Sequence, residues 1–159
     1  MTETVSPTPQ EVATLMARLF ALVQACPIGR VTTYSWLGKA LGYPRGARMI
    51  GWMMNESPDG VPAQRVLNSK GELTGSWAFD QPGKMHQLLV QEGIIFTAED
   101  RVDLKRYGWD PSHDLNKEEL QHILDTANIS THTSPRLLHL LRHDPASPLR
   151  NVPPPQPRS

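Results

Sequence analysis

The sequence predicts a mainly helical domain with a small β or loop element, organised around a helix-turn-helix. Three observations lead there. Val12, Leu15, Met16, Leu19, Phe20 and Val23 recur at intervals of three and four, which makes one apolar helix face. Two short helical stretches flank Gly42-Tyr43-Pro44, a spacing that suits a tight turn between helices. From Val12 to Asn55 there is no Asp or Glu, whereas Arg18, Arg30, Lys39, Arg45 and Arg48 all fall there.

Residues 1–10 are polar with two prolines and read as a flexible arm, without the basic and apolar regions of a signal peptide. Helical spacing begins near Glu11, and Pro9 sits where a helix start tolerates it. Pro27 and Gly29 end that helix. Thr32 or Thr33 is placed to cap a second helix over 34–41. A third helix is expected over 46–55, with Ile50, Met53 and Met54 available to the core. Pro58-Asp59-Gly60 is a turn, and a hairpin or loop broken by Gly71, Gly75 and Gly83 follows. Helical spacing returns over 84–92, with Gly93 capping its end. Ile94-Ile95-Phe96 reads as a short extended run. The main domain is expected over 11–110. Residues 111–159 form an extension, with helices predicted over 115–127 and 135–141. From 142 onwards prolines are dense and apolar residues few, which predicts disorder.

The composition sets limits on function. A chain of 159 residues suffices for one domain with a sizeable core. Its formal net charge is zero, so the basic stretch is local, as suits a polyanion met by one surface. The alternative is a run of solvated surface charges. Cys26 is the single cysteine, which excludes an internal disulfide and a thiolate zinc cluster. No metal or cofactor is expected. No apolar run approaches the roughly 20 residues needed to span a bilayer. A cytoplasmic location is expected, nucleoid-associated if the source is bacterial.

The chemistry turns on Val61-Pro62-Ala63-Gln64-Arg65-Val66. This stretch resembles the Pro-Cys-His-Arg-Val signature of the O6-alkylguanine-DNA alkyltransferases. The likeness extends over about residues 12–109. It takes in Pro27-Ile28-Gly29-Arg30-Val31-Thr32-Thr33-Tyr34, Leu41-Gly42, Ala47-Arg48-Met49-Ile50-Gly51, Gly71-Glu72-Leu73-Thr74-Gly75, Lys84, Leu88-Leu89 and Glu92-Gly93. The resemblance implies the winged-helix-like helix-turn-helix fold of that family's C-terminal DNA-binding domain. It places Ala63 where the family has its nucleophilic cysteine and Gln64 where it has its histidine. A methyl group cannot accept an alkyl group, and an amide cannot take a proton from a thiol. The likeness is therefore to the alkyltransferase-like branch, which binds alkylated guanine in double-stranded DNA without repairing it.

The same resemblance implies roles for individual residues. Guanine O6 is paired inside the duplex, so inspecting it requires flipping the nucleotide out at a cost of a few kcal/mol. In the family the helix-turn-helix enters the minor groove, and an arginine from its second helix fills the vacated stack. Arg48 matches that finger, and a planar guanidinium can stack and hydrogen-bond there. Tyr34 matches a tyrosine that crowds the phosphate beside the lesion; a core aromatic at the helix start is the competing reading. Thr33, Arg45, Gly46 and Ala47 flank these two and are assigned with them to the DNA surface. The lesion pocket is expected to have Ala63 as its floor, beside Gln64, with Met54, Leu73, Ser76 and Trp77 as walls. Trp77 packed in the core is the competing reading. Arg65 is expected either to donate to guanine O6 or to play a structural role.

Three departures from the family pattern stand out. The spacing before the signature is about two residues short, so the family's bracing asparagine is either Asn55 or replaced by Ser57. Ala78-Phe79-Asp80-Gln81-Pro82 replaces a glycine pair after the pocket loop. Glu92 matches a glutamate that polarises the histidine; beside Gln64 it is left as a hydrogen-bonding brace. The implied partners are duplex DNA and nucleotide excision repair proteins, with the protein acting as a monomer. The alternative function is a helix-turn-helix regulator reading sequence in the major groove. Met49, Ile50, Trp52, Met53 and Met54 offer few base-reading groups for that task. A third reading is an inactive relic that binds proteins through its proline-rich tail.

Overall fold

The computed structural model describes residues 8–74, 83–128, 133–145 and 147–149. Helix α1 (Pro9–Gln24) begins at Thr8, whose side chain accepts the Glu11 amide at 3.1 Å. Pro9 occupies the first turn, where its missing N–H costs no bond. Val12, Met16, Leu19, Phe20, Leu22 and Val23 are buried, so α1 is the spine of the core. Strand β1 (Thr32–Thr33) follows and pairs in parallel with β2 (Val66–Leu67), Thr32 opposite Val66 and Thr33 opposite Leu67. Of the two readings of the segment after the signature, hairpin or loop, the described residues form the loop, and β2 pairs in parallel with a segment over thirty positions earlier. Residue Asn68 explains the turn that follows: its Oδ1 accepts the amides of Lys70 and Glu72 at 3.0 and 2.9 Å, which closes a loop rather than extending a strand. The 94–96 run is not a strand either; Ile94 is buried and Ile95 stands out into solvent.

The helix-turn-helix is set by short-range chemistry. Thr33 caps α2 (Tyr34–Ala40) by accepting the Trp36 amide at 3.1 Å. The chain then turns through Gly42 at φ 95° and enters α3 (Ala47–Met54). Glycine is needed at both Gly38 and Gly46. A Cβ on Gly38 would lie 2.8 Å from the Tyr43 carbonyl oxygen, and one on Gly46 would lie 2.9 Å from the Tyr43 Cβ. Met49, Ile50, Met53 and Met54 bury one side of α3 against α1 and α2.

A second, smaller core holds Val31, Leu67, Met85, Leu89, Ile94, Val102 and Tyr107. It lies under α4 (Lys84–Gln91), which ends at Gly93 with φ 96°. Short helix α5 (Leu104–Tyr107) returns the chain to β1, where Val31 bridges Gly108 in parallel.

The core does not stop at Asp110. Helix α6 (Pro111–Asp114) packs on α2, α7 (Lys117–Asp125) on α1, and α8 (Pro135–His143) on α3. Leu137 and Leu141 of α8 enter the main core beside Met49 and Ile50. Beyond α8, Ser147 is buried and its hydroxyl donates to the Leu141 carbonyl at 2.8 Å. Residues 142–145 and 147–149 thus lie against the domain, where the sequence predicts disorder, because Ser147 bonds to Leu141 of α8 and Leu149 donates its amide to Ser147 and packs on the main core. Of the arm expected over 1–10, Thr8 caps α1 and Pro9 and Gln10 form its first turn; residues 1–7 and the remaining tail lie outside the described residues. Among the described residues no helix is long and apolar enough to cross a membrane.

Candidate nucleic-acid interface

The exposed side of the helix-turn-helix carries a cavity of about 370 Å³. Its walls are Tyr34, Ala47, Arg48, Gly51, Trp52, Asn55 and Thr74. Helical spacing makes most of it. Ala47, Gly51 and Asn55 fall one turn apart on α3, and Arg48 and Trp52 fall one turn apart beside them. Ala47 carries only a methyl group and Gly51 no side chain, which leaves the helix backbone approachable; a Cβ on Gly51 would meet nothing within 4 Å. The Thr33 cap fixes the start of α2 and so directs Tyr34 to the rim. Burial raises the Tyr34 phenol above its usual pKa range, against an opposing hydrogen bond with Thr74.

Arg48 stands at the mouth with 64% of its side chain exposed. Its guanidinium carbon lies 5.5 Å from the Trp52 ring centre, a cation–π arrangement. One guanidinium nitrogen is 3.6 Å from Asp144, just beyond α8. Arg45 is also exposed, in the turn before α3, and Gly46 is buried within that turn. Two members of the acid-free basic stretch are occupied elsewhere. Arg30 donates to the backbone carbonyls of Tyr107 and Gly108, and Lys39 pairs with Asp110 at 2.7 Å.

The signature residues take a different place from the cavity. Ala63 and Gln64 form a single 3-10 turn with Arg65 (Ala63–Arg65), directly before β2. Arg65 is only 9% exposed. Its Nε and Nη2 donate to the two Glu92 oxygens at 2.9 and 3.1 Å, and its Nη1 donates to the Cys26 carbonyl at 2.9 Å. Gln64 donates to the same Glu92 carboxylate at 2.7 Å. Arg65 therefore ties the end of α1 and the signature turn to the end of α4. Its guanidinium is turned inward, which favours the structural alternative over contact with a base. Glu92 acts as a hydrogen-bonding brace for both Gln64 and Arg65.

Of the other expected pocket residues, Met54 is buried in the main core and Leu73 packs on the second core. Ala63 is half-buried against the main core, and neither it, Met54 nor Leu73 lines the cavity among the described residues. Ser76, Trp77 and the rest of the pocket loop to residue 82 lie outside the described residues. Of the two brace candidates, Asn55 is a cavity wall, while the Ser57 amide closes the turn after α3 on the Met54 carbonyl. Gly51, Trp52, Asn55 and Thr74 were absent from the expected site; the one-turn spacing from Arg48 and Ala47 was the signal that pointed to the first three.

Cys26 is buried, and burial pushes its thiol up to about 12, with Arg65 pulling it down and Glu92 raising it. At neutral pH it is a protonated core thiol and not a nucleophile.

Comparison with known proteins places this geometry in context. The family described as "6-O-methylguanine DNA methyltransferase, DNA binding domain" matches residues 14–94. The chain is 35% identical over 94 residues to the DNA base-flipping protein of Escherichia coli K12, covering 58% of this chain and 71% of that one. It is 28% identical over 100 residues to alkyltransferase-like protein 1 of Schizosaccharomyces pombe, covering 59% and 93% respectively. A solved structure of S. pombe Atl1 in complex with damaged DNA containing O6-carboxymethylguanine superimposes with a TM-score of 0.54 at 26% identity. That match covers 61% of this chain and 95% of that one. The chain belongs to the 6-O-methylguanine DNA methyltransferase DNA-binding-domain family, as one of its alkyltransferase-like proteins.

Proposed function

We propose that this protein is a DNA damage sensor that binds O6-alkylguanine in duplex DNA, flips the modified nucleotide and performs no chemistry on it. The observation that carries this reading is Arg48, exposed at the mouth of the α3 cavity on a helix-turn-helix. The E. coli relative is named for base flipping, and one solved neighbour is bound to damaged DNA containing O6-carboxymethylguanine. The α3 backbone at Ala47 and Gly51 supplies a close approach to the minor groove, and Arg48 supplies the group that replaces the flipped base in the stack. Arg45 contacts phosphate beside it, and Tyr34 crowds the phosphate at the lesion.

The absence of turnover follows from the signature. Ala63 offers no nucleophile where the family resemblance puts one, and Gln64 offers no base. Glu92, which would polarise a histidine, is already committed to Gln64 and Arg65. The protein works as a monomer whose product is a bent, flipped duplex held long enough for nucleotide excision repair proteins to find it.

The test is Arg48→Ala, titrated against a duplex carrying one O6-methylguanine. Losing an arginine at the centre of an interface costs about 2 kcal/mol, or roughly 30-fold in affinity. The melting temperature should not move, since the side chain is mostly in solvent. Unchanged affinity would remove Arg48 as the finger.

A further inference from the structure

The C-terminal extension reaches the functional surface. Helix α8 runs antiparallel to α3 and is fastened at both ends. At one end, the Ser134 amide and hydroxyl donate to the two Glu56 oxygens at 2.9 and 2.6 Å, just after α3. Between the ends, Leu137 and Leu141 are buried in the shared core. At the other end, Asp144 lies against Arg48, with its carboxylate only 17% exposed. Arg48, Trp52 and Glu56 are one helical turn apart, so α8 lies along that stripe of the recognition helix. The family match ends at residue 94, so this arm lies outside the matched domain.

We infer that α8, from its Ser134 cap to Asp144, is a latch on the DNA-binding surface, in which the Asp144 carboxylate holds Arg48 against Trp52 until a phosphate backbone displaces it. The inference rests on the reading of Arg48 as the finger. Its physics is a competition for one guanidinium. Duplex DNA presents one negative charge per roughly 1.7 Å of axis, a far larger field than a single carboxylate. Asp144 cannot follow Arg48 into the groove, because α8 is held by Glu56 and by the core. Docking therefore separates the pair, and the resting contact subtracts from affinity. Since Arg48 is mostly exposed, the contact is a weak one, and the latch sets a threshold without blocking binding.

The experiment compares the full chain with Asp144→Asn, using duplexes with and without one O6-methylguanine at fixed salt. Glu118→Gln on α7 is the control for net charge. The D144N variant should bind both duplexes about two- to fivefold more tightly, with E118Q unchanged. The gain should vanish in the R48A background, where there is no finger to release. Unchanged or weaker binding by D144N would overturn the latch. A gain that persists in the R48A background would overturn it too, by marking general repulsion between Asp144 and DNA. R48A alone separates the two claims: if it leaves affinity intact in the native background, the finger reading itself has failed.

Discussion

Removing Glu92 should unfasten the signature turn without touching the DNA surface. The Glu92 carboxylate accepts from Arg65 Nε and Nη2 and from Gln64 Nε2, all within 3.1 Å. The Arg65 and Glu92 side chains are 11% and 14% exposed, so water reaches the pair poorly. In Glu92→Ala, Arg65 keeps only the Cys26 carbonyl, and one largely buried charge loses its counterion. Breaking one partner of a buried pair costs about 3–5 kcal/mol; slight exposure here argues for the lower end, about 3. For a chain of this size, each kcal/mol shifts Tm by about 2–4 °C, so a fall of roughly 6–12 °C is expected by calorimetry or circular dichroism. Glu92→Gln, which keeps the shape and some hydrogen bonds, should fall between the two. Affinity for modified DNA, measured well below the lowered Tm, should match the native protein, since Arg65 is turned away from the cavity. A Tm within a degree of native would refute the brace. A large affinity loss at unchanged Tm would restore Arg65 as a base-reading group.

Two further predictions follow from burial and backbone geometry. Gly71 has φ 78°, and a Cβ there would collide with the Val102 carbonyl, so Gly71→Ala should destabilise by about 2 kcal/mol or more, read as a lower urea midpoint. Cys26 should resist iodoacetamide at pH 8 in the native protein and react readily in urea. Its folded pKa of about 12 lies above the unfolded value near 9, so the neutral thiol is favoured in the fold. That contribution is fully present below pH 9 and is lost as pH rises from about 9 to 12. Urea titrations across that window should show a steeper loss for the native chain than for Cys26→Ala; equal slopes would contradict the assignment.

What could be read from the sequence was local. A cap at Thr32 or Thr33, the Gly42 turn and the apolar stripe of α1 are each decided within a few residues, and together they outline the helix-turn-helix; the structure selects Thr33 as the cap. What could not be read depended on distant partners. Arg65 and Glu92 are 27 positions apart, and only the fold decides whether that arginine faces a base or a carboxylate. The parallel pairing of β1 with β2 likewise joins short segments with no strand signature of their own. Residues 142–145 and 147–149 look too poor in apolar groups to fold by themselves, because what holds them, the Leu141 carbonyl and the main core under Leu149, is supplied by other elements. The resemblance supplied what no spacing rule could, the proposal that Ala63 and Gln64 stand where a nucleophile and a base would be.

The central claim is lesion recognition without chemistry, and a paired titration tests it most directly. Two short duplexes identical except for one O6-methylguanine would be titrated at fixed salt, with the protein weighed by intact mass spectrometry afterwards. The account predicts clear preference for the modified duplex and an unchanged protein mass. Equal binding to both duplexes, or a protein heavier by one methyl group, would contradict it.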